Sequence, residues 1–264
     1  MVAIGPKIAR ESHGSLGSIG DGYANAVPSL PADLRHEARR SIASLVAIPV
    51  MVVVIWGAGF VVMHSQVDRW DVRQIVWLVD HRTAWLDSAT QWATNLAETI
   101  PVLAILLIAV VLARRWTHEW RVSVFLAVAV GGEKLVYLLS SLLVGRDRPP
   151  VPPLGSTYAT SSFPSGHVGS AITLYGGIAL AVGAWHGRKH LVALMSVTVA
   201  IAAIVAFSRM YCGFHYPSDC VAGALVGGVW LAIVAHVMAP LAASHAMPPI
   251  VTEAASARRP LAAG

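Results

Sequence analysis

Two histidines, two arginines and an aspartate occur in three short segments of the second half of the chain, and their types suit phosphate chemistry. His215 and Asp219 are four residues apart, so a carboxylate could hold one ring nitrogen of the histidine while the other nitrogen attacks. His167 is a candidate acid for the departing oxygen. Taken alone, His215 and Asp219 could equally form a helix-capping hydrogen bond.

The segment that contains His167 has the features of an anion-binding helix N-terminus. It reads Pro164-Ser165-Gly166-His167 and leads directly into an uncharged stretch. Ser165 is a good N-cap residue, and Gly166 would let a ligand approach the backbone closely. The unpaired N–H groups and the partial positive charge at a helix start favour an anion. Arg148 and Arg209 add planar donors that suit phosphate oxygens.

These residues belong to a chain with the composition of a membrane protein. Of its 264 residues, 56% are hydrophobic and 12% are charged, about half the charged fraction of a typical soluble domain. Six apolar runs, at 45–63, 100–113, 122–144, 168–185, 191–207 and 220–241, are candidate spanning helices. We therefore expect an all-α, integral-membrane six-helix bundle over 41–243. Residues 1–40 read as a disordered cytoplasmic tail and 244–264 as a second cytoplasmic tail.

The distribution of basic residues predicts the topology. With six spans, one side of the membrane receives most of the basic loop and tail residues: Arg39, Arg40, Arg114, Arg115, Arg121, Arg188, Lys189, Arg258 and Arg259. The positive-inside rule makes this side cytoplasmic. A multi-pass protein of the cell membrane with both termini cytoplasmic is expected, and the three segments then lie at its extracytoplasmic face.

Four tryptophans mark an amphipathic interfacial segment in the first outer loop. Trp70, Trp77, Trp85 and Trp92 recur at spacings of seven, eight and seven residues, which keeps them near one face of a helix. Aromatic residues in such a pattern are typical of a helix lying in the headgroup layer. Anchoring at the interface and a wall for lateral lipid access are the two interpretations.

The three segments together resemble the signature of the type 2 phosphatidic-acid phosphatase family. The matching residues are Arg148-Pro149, then Pro164-Ser165-Gly166-His167, then Ser208-Arg209-x5-His215-x3-Asp219. The gaps also fit, with fourteen residues between Pro149 and Pro164 and forty between His167 and Ser208. The resemblance covers roughly residues 85 to 240.

The resemblance implies a role for each matching residue. His215 would form a phosphohistidine with Asp219 as its partner, and His167 would protonate the leaving alcohol. The phosphate would be held by Arg148, Ser165, Gly166 and Arg209. Because these side chains and helix-end amides would neutralise the charge, the resemblance implies neither a metal nor another cofactor.

One position departs from the family pattern. The family usually has a lysine seven residues before its first arginine, and here that position is Ser141. Lys134 lies another seven residues back, too deep in the predicted helix to replace it. Arg146 is the better candidate for the missing positive charge, so we include it among the predicted phosphate-binding residues.

Four further residues have two interpretations each. Glu133 and Lys134 lie near the middle of a predicted span, where charge is expensive. They would form a buried structural network or take part in headgroup or proton handling. Cys212 and Cys220 flank His215 and would form either a disulfide or two buried thiols.

The predicted function is a metal-independent hydrolase that removes phosphate from a membrane lipid phosphate or diphosphate. A polyprenyl diphosphate of the cell-wall carrier cycle is the first candidate by analogy. Phosphatidic acid, phosphatidylglycerophosphate and a phosphorylated prenyl sugar are the others. A phosphotransferase would use the same residues. The alternative class is a non-catalytic lipid-phosphate binder or transporter. The expected partners are the lipid bilayer and this lipid, not nucleic acid, and the oligomeric state is left open.

Overall fold

The described part of the chain is built from helices and their connecting loops. The computed structural model describes residues 32–156 and 160–238. Within these two ranges there is no β-strand and there are nine α-helices: α1 (Ala32–Leu45), α2 (Ala47–Met63), α3 (Gln66–Asp80), α4 (Ala84–Thr94), α5 (Thr99–Thr117), α6 (Arg121–Val144), α7 (Gly166–His186), α8 (Arg188–Tyr211) and α9 (Pro217–Met238). A short 3₁₀ turn, Asn95–Ala97, joins α4 to α5.

Six helical stretches in these ranges are long and apolar enough to cross a membrane. They are Arg39–Met63, Thr99–Thr117, Arg121–Val144, Gly166–His186, Arg188–Tyr211 and Pro217–Met238. Each contains most of one predicted run, so the prediction of an all-α bundle with six spans is confirmed. The first helix begins at Ala32, inside the segment predicted to be a tail. Residues 1–31 and 239–264, which hold the remainder of both predicted tails, lie outside the described residues.

Helix α7 forms the centre of the bundle because its sequence is rich in small residues. Glycine, alanine, serine and threonine dominate GHVGSAITLYGGIALAVGAWH, which lets neighbouring helices approach closely. In its most apolar stretch 61% of the residues are buried, against 6% in the corresponding stretch of α5. Helix α5 is therefore a peripheral helix with most of its surface available to lipid.

Two glycines of α9 pack closely against the backbone at the start of α7. A Cβ atom at Gly223 would lie 2.3 Å from the carbonyl oxygen of Ser165, and one at Gly227 would lie 2.7 Å from that of Gly169. Both distances are too short for any side chain, so α9 lies directly against the start of α7. This contact positions the Ser165–Gly166 backbone relative to the segment that carries His215 and Asp219.

A tryptophan fixes α9 against α6 on the other side of the core. The indole of Trp230 fills the space over Gly132, where a Cβ would come within 2.0 Å of the ring. Its Nε1–H donates to the carbonyl oxygen of Ala129 at 2.9 Å. Since Trp230 is completely buried, this hydrogen bond satisfies a donor that would otherwise be costly inside an apolar core.

The amphipathic segment consists of two helices, α3 and α4, separated by a break at 81–83. Its four tryptophans are exposed, from 46% at Trp70 to 77% at Trp92. Arg82, in the break, donates to the carbonyl oxygens of Tyr211 at 3.1 Å and Pro152 at 2.7 Å. The segment is thus tied to the end of α8 and to the loop after α6.

Candidate active site

The three predicted segments converge at one end of the bundle. The C-terminal ends of α6 and α8 and the N-terminal ends of α7 and α9 meet there because successive helices run antiparallel. Gly145, at the end of α6, adopts a left-handed φ of 64° that turns the chain into the loop containing Arg146 and Arg148. The ring centroids of His167 and His215 are 6.5 Å apart, with the ring planes tilted by 58°.

His215 is oriented through one of its ring nitrogens. Nδ1 lies 2.7 Å from the carbonyl oxygen of Ser162 and 3.5 Å from Oδ2 of Asp219. A ring that donates from Nδ1 to these oxygens keeps an unshared lone pair on Nε2. The predicted contact with Asp219 is present, and the nearer acceptor is the Ser162 carbonyl, which no side-chain motif indicates.

Burial also affects the pKa of His215. Desolvation lowers the pKa of His215, and the cations Arg209 and Arg148 lower it further, while Asp219 acts in the opposite direction. The net shift is downward from an ordinary value of 6.5. The neutral, nucleophilic form of the ring is therefore favoured near neutral pH.

Asp219 connects several parts of the site. Its Oδ2 accepts the backbone N–H of Tyr216 at 2.8 Å, and its Oδ1 accepts from Arg146 at 2.6 Å. Its backbone carbonyl accepts the N–H of Ser165 at 2.9 Å. One residue at the start of α9 thereby contacts His215, the loop after α6 and the start of α7.

The start of α7 has the predicted N-terminal geometry with different side-chain contacts. Ser165 occupies the N-cap position, but its hydroxyl makes no capping hydrogen bond. Gly166 leaves room for the ring of Tyr137, which a Cβ would approach within 2.9 Å. The first helical hydrogen bond here runs from Gly169 N–H to Ser165 oxygen, so the amides of 166–168 come before it and can serve an anion.

Arg148 and Arg209 approach the two histidines from different elements. Arg148 donates to the carbonyl oxygen of Phe214 at 2.8 Å and is partly exposed. Arg209 is almost fully buried, donates to Thr94 at 2.9 Å and lies over the ring of Phe214 at 4.2 Å. The site thus has one partly accessible and one buried guanidinium beside the imidazoles.

Arg146, predicted above to hold phosphate, lies in a cluster of carboxylates. Its two terminal nitrogens donate to Asp219, Asp71 and Asp68 at 2.6, 2.8 and 2.7 Å, and to Ser218 at 2.9 Å. Burial opposes its charge, but Asp219, Asp71 and Asp68 outweigh burial and raise the pKa of Arg146 above its usual value. The guanidinium is therefore charged, and both of its terminal nitrogens donate to protein groups.

A carboxylate that the motifs did not indicate lies beside His167. Oε1 of Glu98, at the start of α5, is 3.2 Å from Nε2 of His167 and 3.6 Å from Arg209. Asp71 and Asp68 of α3 also went unrecognised as site residues, since they read as ordinary charges of an amphipathic helix. The one available signal for Glu98 was a glutamate two residues before an apolar run.

Three further polar residues of the spans make local contacts. Ser141 is buried and its hydroxyl donates to the carbonyl oxygen of Leu138 at 3.0 Å. Glu133 is buried and accepts from Ser170 at 3.1 Å. The ammonium group of Lys134 lies 5.8 Å from the ring of Tyr137. Of the two interpretations for the cysteines, buried free thiols are present at Cys212 and Cys220.

Comparison with known proteins relates this arrangement to a family. Residues 120–242, somewhat less than half of the chain, match the PAP2 superfamily, and they include every predicted site residue. The predicted resemblance is confirmed, and the six spans fit a multi-span membrane protein of this group.

One relative agrees with this resemblance. YbjG of Escherichia coli strain K12, named as a candidate undecaprenyl-diphosphatase, is 31% identical over 143 residues. That alignment covers 51% of this chain and 64% of YbjG, somewhat less than two thirds of the relative.

Two solved structures share the fold. The transmembrane PAP2-type phosphatidylglycerolphosphate phosphatase of Bacillus subtilis matches with a TM-score of 0.63 at 22% identity, covering 73% of this chain and 94% of that one. LpxE of Aquifex aeolicus matches with a TM-score of 0.50 at 20% identity, covering 63% of this chain and 95% of that one.

Proposed function

We propose that this protein is a PAP2-type lipid phosphatase that uses His215 as its nucleophile. The observation that carries the proposal is the pair of facing imidazoles, with centroids 6.5 Å apart and Nδ1 of His215 engaged by Ser162. This arrangement makes Nε2 of one histidine a nucleophile and leaves the other ring to handle a proton on the far side of a phosphoryl group.

Substrate binding rests on cations and helix-end amides. Arg148 and Arg209 would hold phosphate oxygens, and the amides of the first turn of α7, beginning with Gly166, would bind the same anion. Ser165 contributes the N-cap position. Because these groups neutralise the charge that phosphoryl transfer concentrates on the oxygens, the proposed reaction needs no metal ion.

In the first half of the reaction, Nε2 of His215 attacks phosphorus. The N–P bond forms while the bond from phosphorus to the bridging oxygen breaks, and protonated His167 gives its proton to that oxygen. The products are phosphohistidine and either a lipid alcohol or, from a diphosphate, a lipid monophosphate. Glu98, 3.2 Å from His167, stabilises the protonated ring before transfer.

In the second half, water replaces the lipid. His167, now neutral, takes a proton from water as the oxygen attacks phosphorus, and the N–P bond returns its electron pair to His215. Inorganic phosphate leaves, and both histidines recover their starting protonation. The same group thus acts first as acid and then as base.

A membrane lipid is the substrate class that best suits the position of the site. The residues lie at the ends of apolar helices, beside α3 and α4 with their exposed tryptophans. A lipid can present its phosphate there while its tail stays in the bilayer. The match with YbjG supports a polyprenyl diphosphate, and the match with the Bacillus structure supports a phosphatidylglycerophosphate.

The extracytoplasmic face is the proposed location of the chemistry. The basic loop residues Arg114, Arg115 and Arg188 lie at the opposite ends of the spans from His215, as the positive-inside rule requires of a cytoplasmic side. The test compares Asp147→Cys, in the loop after α6, with Glu119→Cys, in the loop before it. In intact cells a membrane-impermeant maleimide should label Asp147→Cys alone. Labelling of Glu119→Cys alone would reverse the orientation.

Phosphate release from purified protein tests the activity and the substrate together. The panel contains a polyprenyl diphosphate, phosphatidic acid and phosphatidylglycerophosphate in detergent with excess EDTA. We expect release from at least one lipid, and loss of that release in His215→Ala. Headgroup binding without release from any lipid would instead favour the non-catalytic binder.

A further inference from the structure

Arg146 has no terminal N–H group left for a phosphate. A guanidinium has four terminal N–H groups and one at Nε. At Arg146, Nη1 donates to Ser218 and Asp219, while Nη2 donates to Asp68 and Asp71, all between 2.6 and 2.9 Å. The Nε atom is buried, and the whole side chain is 3% exposed.

The flat face of the guanidinium is covered as well. The ring of Tyr216 lies 4.0 Å from Cζ of Arg146, a stacking arrangement that the planar guanidinium favours and that an ammonium group does not reproduce. Arg146 is therefore enclosed by protein on its edges and on one face, unlike the partly exposed Arg148 two residues later.

The group that Arg146 holds most closely is the partner of the nucleophile. Its contact with Oδ1 of Asp219 is 2.6 Å, the shortest of the four. The other oxygen of Asp219, Oδ2, accepts from Tyr216 N–H and faces Nδ1 of His215 at 3.5 Å. With each oxygen held by its own donor, the carboxylate is kept in one orientation. Asp219 thus supports His215 together with the Ser162 carbonyl, which is 2.7 Å from Nδ1, and Arg146 acts on His215 through this carboxylate.

Helix α3 holds Arg146 from the opposite side. Asp71 is fully buried, and besides Arg146 it accepts from the backbone N–H of Ser218 at 3.1 Å and from the Ser218 hydroxyl. Asp68 is less enclosed, with 39% of its side chain exposed. The interfacial helix therefore joins the start of α9 through a chain of contacts from Asp71 to Arg146 to Asp219.

We propose that Arg146 and Asp71 are positioning residues that set Asp219, and through it His215, for phosphoryl transfer. This inference rests on the proposed function. It gives Arg146 a different role from phosphate binding and gives α3 a part in the active site. The geometry also accounts for an arginine here, since only a planar fork reaches four acceptors at once.

The variants are chosen to separate positioning from phosphate binding. Asp71→Asn keeps the size of the side chain and removes its charge, and Arg146→Gln removes the fork. Asp80→Asn makes the same chemical change as Asp71→Asn at an exposed position of α3 and serves as the matched control. Arg148→Gln provides the behaviour expected of a phosphate-binding arginine.

Turnover and inhibitor binding are measured on the purified full-length chain with the best lipid of the panel. Misplacing a reacting group by about 1 Å costs on the order of 100-fold, so we expect kcat of Asp71→Asn and Arg146→Gln to fall by about 10- to 100-fold. The inhibition constant of orthovanadate, a phosphate analogue, should change little in both. In Arg148→Gln the inhibition constant of orthovanadate should rise. Asp80→Asn should have the same kcat and the same inhibition constant as the unchanged protein.

The pH profile distinguishes positioning through Asp219 from general structural damage. The charged groups facing His215 are Asp219, Arg209, Arg148 and the adjacent His167. Loss of the Arg146 cation leaves the nearby carboxylates less neutralised, which moves the acid limb of kcat/KM to higher pH. Loss of the Asp71 charge moves it to lower pH. Structural damage alone would not produce opposite shifts.

Two outcomes would overturn the inference alone. One is that Asp71→Asn retains full kcat, and the other is that Arg146→Gln raises the vanadate inhibition constant as much as Arg148→Gln does. If Arg146→Gln does not fold, kcat and the vanadate inhibition constant of Arg146→Lys and Asp71→Asn decide, since both variants keep a polar group at the position. Absence of turnover by the unchanged protein would overturn the proposed function itself, and this role with it.

Discussion

Nε2 of His167 lies 3.2 Å from Oε1 of Glu98, which places a carboxylate beside the proposed acid. The two residues come from the first turn of α7 and the start of α5, helices that otherwise have few contacts. The same carboxylate lies 3.6 Å from Arg209, so it also balances the charge of that buried guanidinium.

The Glu98→Gln variant should lose activity. The amide keeps the shape of the side chain but removes the negative charge beside His167, the proposed acid. We expect kcat to fall by about 10-fold, within the range of general acid catalysis. Glu119→Gln, at an exposed loop position, is the control. A lower KM with undiminished kcat would instead mean that Glu98 competes with the phosphate.

The acid limb of the kcat/KM profile should lie below pH 6.5. Burial, together with Arg209 and Arg148, lowers the pKa of His215 from 6.5, and attack requires the unprotonated ring. Activity is therefore retained as the pH falls to 6.5 and is lost only below it. A monophosphate lipid and a diphosphate lipid should give the acid limb at the same pH. This agreement would show that the limb reports the ionisation of the enzyme and not that of the substrate. A limb at or above 6.5 with both lipids would contradict the assignment.

Replacing Arg209 by lysine should be costly although the charge is kept. The guanidinium donates to Thr94 at 2.9 Å and stacks on Phe214, and an ammonium group cannot reproduce both contacts. Loss of one preorganised donor costs about 100- to 1000-fold in turnover, and we expect a decrease in kcat/KM of that order. The exposed Arg73→Lys on α3 is the control. Equal activity of the two variants would show that Arg209 does not contribute to the reaction.

A methyl group at Gly223 should disturb the phosphate-binding backbone. Its Cβ would lie 2.3 Å from the carbonyl oxygen of Ser165, whereas a Cβ at Gly228 has nothing within 4 Å. Overpacking costs about 1–3 kcal/mol, so Gly223→Ala should lower both Tm in detergent and kcat. Gly228→Ala should leave both unchanged. Unaltered Tm and activity in Gly223→Ala would mean that the helices are not packed as closely as described.

The spans and the three motifs could be predicted from the sequence because both depend on local patterns. Apolar runs of sufficient length predict the spans whatever their partners, and the spacing from His215 to Asp219 lies within a single segment. The alternating direction of successive spans then brings the motifs to one end of the bundle. The boundary near residue 40 was less accurate, since helix formation at Ala32 precedes the apolar run.

The contacts that depend on distant segments could not be predicted in this way. Asp71 is 75 residues from Arg146 and meets it only because α3 lies against the start of α9. The Ser162 carbonyl, 53 residues from His215, is a backbone atom without a side-chain signature. For the same reason Arg146 read as a free cation, since the carboxylates that surround it come from other segments.

Trapping the covalent intermediate is the most direct test of the central claim. The purified protein is mixed with a ³²P-labelled lipid phosphate in EDTA, denatured within milliseconds to seconds, digested and analysed for labelled peptides. We expect label on the peptide that contains His215, stable in alkali and released by acid, and no label in His215→Ala. Turnover that proceeds with no labelled intermediate at any time, or label carried by a different residue, would contradict the account.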